Sequence, residues 1–193
     1  MRFLGEHRTP AVTAFARAVQ EAGDSTALLA VAGLVVLGAV AARRAWGVAA
    51  AAVLALVAAT LAARFLKGVV QRPRPGADLA LLPLDGWAMP STHAARTAAI
   101  TAAVLVAATW TASAARHRGR VVTVLVAANV LVGVLMVYLG AHWPSDVLAG
   151  WCVGAFWAGL CWYAALLLQR KGQVETEAPP TPPKEAASRV PGS

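Results

Sequence analysis

Three short strings in this 193-residue chain carry side chains able to do acid–base, nucleophilic or anion-binding chemistry. They are Lys67-Gly-Val-Val-Gln-Arg72-Pro73-Arg74-Pro75, Pro90-Ser91-Thr92-His93 and Gly140-Ala-His142-Trp-Pro-Ser-Asp146. His142 and Asp146 form the strongest pair. Asp146 is the only acid between Gly86 and Gln173, and it follows a histidine by four residues. At a helix start, that spacing lets the carboxylate hold one ring nitrogen and leaves the other free as base or nucleophile. A hydrogen-bonded pair that merely stabilises a turn would read the same way. Pro-Ser-Thr before an apolar run is an ordinary helix start, in which Ser91 or Thr92 caps free amides. The same amides make an anion site, with His93 in the first turn able to donate a proton.

Lys67 and Arg74, at the end of an apolar run, would ordinarily be snorkelling anchors. Pro73 and Pro75 bracket Arg74 in extended backbone, however, which snorkelling does not require. Arginine suits bidentate phosphate recognition, and lysine adds a point charge. Taken together, two cations and a helix N-terminus neutralise a phosphate, one histidine attacks and a second protonates the leaving group. This is covalent catalysis with electrostatic positioning, and it calls for no metal and no cofactor. A metal site of two histidines and one carboxylate is the weaker reading, since zinc favours three well-spaced protein ligands and a further polar shell.

The elements that must position these strings belong to a membrane. Hydrophobic residues make up 59% of the chain and charged residues 13%, with a mean hydropathy of +0.62. A soluble domain carries about 25% charged residues, so a soluble monomer is excluded. The net charge of +8 does not indicate nucleic acid. The basic residues stand in short clusters between apolar runs, where such charge sets membrane orientation. A crossing needs about 20 apolar residues, and five runs qualify: residues 25–42, 45–66, 93–114, 121–139 and 145–168. Ahead of them, residues 9–22 have helical apolar spacing but include Arg17 and Glu21. This stretch reads as an interfacial amphipathic helix or, preferred here, a short sixth helix in the bundle. The fold class is therefore an all-α integral membrane bundle. Residues 1–24 form the N-terminal helix, 25–170 the transmembrane domain and 171–193 a disordered Pro-rich cytoplasmic tail. Cys152 and Cys161 lie nine residues apart in one apolar run, too far along a helix for a disulfide.

Parity brings the three strings to one face. The ends of the second and fourth spans share that face with the starts of the third and fifth. Counting basic residues, this face has three (Lys67, Arg72 and Arg74) against seven on the opposite one. The positive-inside rule puts the richer face in the cytoplasm and the three strings outside.

These residues resemble the type 2 phosphatidic acid phosphatases, which include bacterial lipid phosphatases and polyprenyl-diphosphate phosphatases. The family motifs are K-x6-R-P, P-S-G-H and S-R-x5-H-x3-D. Lys67 with Arg74-Pro75 matches the first in full. The second is matched with Thr92 in place of glycine, and His142 with Asp146 matches the end of the third. The resemblance implies that His142 forms a phosphohistidine, Asp146 orients it and His93 is the general acid. Lys67, Arg74, Ser91 and the Thr92 backbone would hold the phosphoryl oxygens. It also implies six transmembrane helices, with both termini in the cytoplasm. One departure stands out, because Leu135-Met136 replaces the Ser-Arg of the third motif. Losing a charge-assisted contact costs about 1.5–3 kcal/mol, and Arg96, one turn after His93, is the candidate substitute.

The expected activity is hydrolysis of a lipid phosphate or diphosphate at the outer face of a bacterial plasma membrane. The partners are then that substrate and membrane lipids, not nucleic acid, and the oligomeric state is not legible. An impaired relative that only binds lipid phosphates is the competing reading, motivated by Met136. A lipid phosphotransferase would use the same residues. A transporter ranks last, because no inverted halves or paired broken helices are visible.

Overall fold

The structure, a computed structural model, describes residues 6–24, 46–109 and 112–177. Regular structure among these residues is entirely helical: α1 is Pro10–Asp24, α2 Trp46–Val70, α3 Thr92–Thr109, α4 Ala112–Tyr138 and α5 Pro144–Glu177. The expected first span, residues 25–42, and the chain beyond Glu177 lie outside the described residues.

The burial pattern is that of a protein whose solvent is lipid. On α2, Ala51, Ala55, Ala59 and Ala63 recur every fourth residue and are buried, whereas Leu54, Val57, Leu61 and Phe65 face outward. In water the large residues would be the ones to hide. Next to hydrocarbon tails nothing is gained by hiding them, and small residues inside let backbones approach. Three of the helices have segments long and apolar enough to cross a membrane: Ala49–Val70, Gly119–Tyr138 and Pro144–Leu168. The protein is therefore placed in a membrane. α3 packs against all four other helices, so its polar His93 and Arg96 sit within protein and not against lipid. α5 fits closely against α3 through glycine. A Cβ on Gly150 would lie 2.4 Å from the Ser91 carbonyl oxygen, and one on Gly154 would lie 2.2 Å from that of Ala95.

Several boundaries differ from the sequence expectation. α2 runs on through Lys67 to Val70 and stops where Gln71 takes a left-handed conformation (φ 48°) ahead of Pro73. α3 ends at Thr109 instead of residue 114, and α4 begins at Ala112 instead of residue 121. The arginine-bearing stretch expected as a connection is thus the first part of α4. Alanine and arginine are good helix formers and no Pro interrupts them. α5 likewise continues to Glu177, into the segment expected to be a disordered tail, because Gln, Arg, Lys and Glu extend a helix beyond its apolar part.

The count of six spanning helices is not established by the described residues, three of whose helices are candidate spans. The described part of α1, Pro10–Asp24, meets one end of the bundle along its length. At the start, the Thr9 N–H donates to the Tyr138 hydroxyl (3.0 Å), and the Arg8 guanidinium donates to the carbonyls of Tyr138 and Leu79. At the finish, Gln20 and Asp24 meet His93. The helix lies across that end, with Ala16 and Val19 packed on Leu135, Met136, Leu139 and the loop residues Leu81, Leu82 and Leu84.

Candidate active site

Four chain segments converge at the end of the bundle that α1 covers: the last turn of α2, the loop after it, and the first turns of α3 and α5. Local sequence explains each placement. α5 starts with Pro144 in the first helical position, where a missing N–H costs nothing. Asp146 reaches back to accept the Trp143 N–H at 2.8 Å, half of a capping box. Ser91 caps α3, with the Ala94 N–H 3.4 Å from its hydroxyl. The Ser91 N–H donates to the Asp146 carbonyl at 2.9 Å, which joins the second string directly to the third. Gly140 turns the chain out of α4 with a φ of 69° and lets the Leu79 carbonyl approach to 2.2 Å of where a Cβ would stand.

Asp146 is fully buried, and both of its carboxylate oxygens are engaged. Oδ1 accepts from Arg72 at 2.9 Å, and Oδ2 accepts the Trp143 amide and faces Nδ1 of His142 at 3.7 Å. The last distance exceeds the ~3.2 Å reach of an N–H···O bond, so Nδ1 is buried among the described groups without a hydrogen bond. Catalytic contacts commonly tighten only when substrate is bound. Burial pushes the His142 pKa down, partly opposed by the Asp146 carboxylate, and the Lys67 and Arg74 charges push it down further. The His142 ring is accordingly held neutral with its Nδ1 towards the acid.

The cations expected to hold phosphate are present at this end. Lys67 donates to the carbonyls of Trp87 (2.7 Å) and Ala88 (3.3 Å), which ties α2 to the residues just ahead of Pro90-Ser91. Arg74 donates to the Ala141 carbonyl at 2.7 Å and to those of Asp85 and Gly86. Burial pushes its pKa below the ordinary arginine value, and Asp146, Asp24 and Asp85 only partly oppose that effect. Arg96 stands one turn after His93, as expected, but its guanidinium is directed at α1. It donates to the Gly23 carbonyl at 2.8 Å and lies 3.4 Å from the Thr60 hydroxyl. Met136, in place of the family arginine, is wholly buried in the apolar cluster under α1. Its surroundings are shaped for a hydrocarbon side chain, not for a charge. Among the described residues no group of three His, Cys, Asp or Glu side chains converges as a metal-ligand set.

Arg72 is the site residue that sequence reasoning passed over, counting it only among basic residues. Besides Asp146 it donates to the Ser145 hydroxyl at 2.6 Å and stacks 5.5 Å from the Trp143 ring. The Trp143 indole N–H in turn donates to the Pro73 carbonyl at 3.1 Å. Its position beside a proline, two residues before Arg74, was the one signal available. Gln20, Gly23 and Asp24 were also missed, and nothing in their local sequence marks them.

A membrane-embedded helical phosphatase is the class that this fold and this constellation define. Residues 46–170 match the PAP2 superfamily model, well over half of the chain, and the chain belongs to that superfamily. Among solved structures it resembles the first transmembrane PAP2-type phosphatidylglycerolphosphate phosphatase from Bacillus subtilis. The identity is 23% and the TM-score 0.74, over 93% of this chain and 85% of that one. It also resembles LpxE from Aquifex aeolicus, at 21% identity and a TM-score of 0.64, over 84% of this chain and 92% of that one. These likenesses bear on the fold. Among curated proteins no sequence matches the chain.

Proposed function

We propose that this protein hydrolyses the phosphate or diphosphate group of a membrane lipid through a phosphohistidine on His142, at the extracytoplasmic face and without a metal. The observation that carries the reading is the buried His142–Asp146 pair, fixed by Arg72 and flanked by Lys67 and Arg74. With Nδ1 directed at Asp146, Nε2 attacks phosphorus. The P–O bond to the leaving group breaks, and His93 gives that oxygen its proton. Water then attacks the phosphohistidine and returns a proton to His93, and inorganic phosphate leaves. Lys67, Arg74, the Ser91 hydroxyl and the Thr92 amide would hold the phosphoryl oxygens, where charge builds in the transition state. Arg96 is bonded to the end of α1 and is assigned there, not to the phosphate.

A lipid substrate is supported by the position of the site at the end of the bundle, beside exposed apolar faces. A bound lipid can keep its tail in the bilayer while its headgroup reaches the cations. One of the similar solved proteins is described as a phosphatidylglycerolphosphate phosphatase, which supports a phospholipid phosphate as readily as a polyprenyl one. The distribution of basic residues supports the outward face.

The test is phosphate release by detergent-purified protein in EDTA from phosphatidate, phosphatidylglycerol phosphate, a polyprenyl phosphate and a polyprenyl diphosphate. His142→Ala should abolish release, and acid-labile, base-stable phosphoryl label should appear on the wild type only. Release that EDTA removes, or that survives in His142→Ala, would overturn the mechanism.

A further inference from the structure

His93 has a carboxylate partner of its own, supplied by α1. Its Nε2 lies 3.1 Å from the Gln20 carbonyl and 3.5 Å from Oδ1 of Asp24. The Asp24 carboxylate is aimed by the Gln20 side chain, whose amide donates to its other oxygen at 2.6 Å. Gln20 is itself buried, so a desolvated amide is committed to orienting a half-exposed acid. The backbone of α1 approaches the imidazole closely, since a Cβ on Gly23 would stand 2.3 Å from His93 Cδ2. Any side chain there would displace the ring.

α3 also grips the backbone of α1. Arg96 takes the Gly23 carbonyl and His93 takes that of Gln20. Among the described residues, the charged side chains bearing on His93 are Asp24, Arg96 and Lys67, and Asp24 is the one acid of the three.

We infer that Asp24 is the positioning residue of His93, so that the active site contains two histidine–carboxylate pairs, one for the nucleophile and one for the acid. The two are built in opposite senses. His142 directs Nδ1 at Asp146 and leaves Nε2 for phosphorus. His93 directs Nε2 at Gln20 and Asp24 and leaves Nδ1 to carry the proton to the leaving oxygen. When Nδ1–H is donated, the neutral ring keeps its Nε2–H on the Gln20 carbonyl, so the proton count balances with no change of partner. Asp24 favours the charged ring before transfer and holds its plane afterwards. The assignment rests on the proposed hydrolytic function.

The test uses the full chain in mixed micelles with two substrates that differ in their need for an acid. The leaving group of short-chain phosphatidate is an alkoxide that needs the proton, whereas that of 4-nitrophenyl phosphate is a stabilised phenolate. Asp24→Asn should lower kcat on phosphatidate by about 10- to 100-fold, part of the ~10²–10⁴ that general acid catalysis contributes, with KM changed by no more than about twofold. On 4-nitrophenyl phosphate the loss should be no more than about threefold, because little protonation is required. Asp24→Glu should recover part of the phosphatidate rate. Equal losses on both substrates would show a merely structural contact and overturn the assignment. So would an unchanged or raised kcat, the latter marking α1 as a latch over His93. Whichever lipid of the panel above the wild type hydrolyses fastest replaces phosphatidate in this comparison, and a wild type that releases phosphate from none of them would overturn the hydrolytic function, and this assignment with it.

Discussion

Replacing Arg72 with methionine removes a charge while keeping much of the side-chain volume, and its effect can be worked from the geometry. Arg72 is the sole charged donor on Oδ1 of Asp146, at 2.9 Å, among the described residues, and Asp146 is fully buried while Arg72 is 33% exposed. Breaking a fully buried ion pair costs about 3–5 kcal/mol. The exposure of Arg72 lets water reach the vacated side, so the lower range for a hydrogen bond to a charged group, about 1.5–3 kcal/mol, applies. If the loss falls on the alignment of Asp146 with His142, it appears in the transition state as a ~10- to 150-fold drop in kcat. KM should then stay nearly constant, because Arg72 is occupied by Asp146 and Ser145 and not by substrate. The assay is steady-state phosphate release against substrate mole fraction in mixed micelles, with Arg72→Lys as an intermediate case. A large rise in KM at unchanged kcat would mean that Arg72 grips the phosphate, and the reasoning would be refuted.

Two further outcomes are expected. Met136→Arg, which restores the family residue, should not raise activity, because its site is lined by Ala16, Leu135, Leu139 and loop leucines. An uncompensated buried charge costs about 3–5 kcal/mol, so the detergent melting temperature should fall by about 10 °C, and a rise in activity would count against it. As for pH, His142 attacks only when neutral, and burial lowers its pKa from 6.5. The nucleophile is therefore available above the lowered value, and the acidic limb of kcat/KM should lie below pH 6.5. An acidic limb above that pH would contradict the burial.

The parts of the site legible in sequence were those carried by rare residues against an apolar background. Asp146 stood alone among acids over a long stretch, and His142, Lys67 and Arg74 were conspicuous for the same reason. Parity of the spans then brought the three strings to one end, as the Ser91–Asp146 and Arg74–Ala141 bonds show. Helix ends were less legible. Apolar content stops at the bilayer edge, but helix propensity does not, so α5 and α4 extend past the places where hydropathy ends. The role of α1 was hidden for a different reason. Asp24 and Gln20 are ordinary polar residues of α1, and their significance comes from contacts distant in sequence, such as that of Gln20 with His93, 73 residues away. Arg96 lies one turn after His93, but whether it serves substrate or scaffold depends on the position of the Gly23 carbonyl, which no spacing encodes.

The glycine contacts between α3 and α5 bear on how accurately this enzyme can be built. Gly150 rests on the carbonyl of Ser91, one residue outside the helix that bears His93, and α5 begins at the turn that bears His142. The spacing between acid and nucleophile is thus a main-chain dimension. Side chains between helices can change rotamer and let the helices drift, whereas two backbones in contact have no such freedom. Reaction geometry is sensitive at the level of 1 Å, so a scaffold gauged by peptide against peptide inherits the tolerance of bond lengths, not that of packed hydrocarbon.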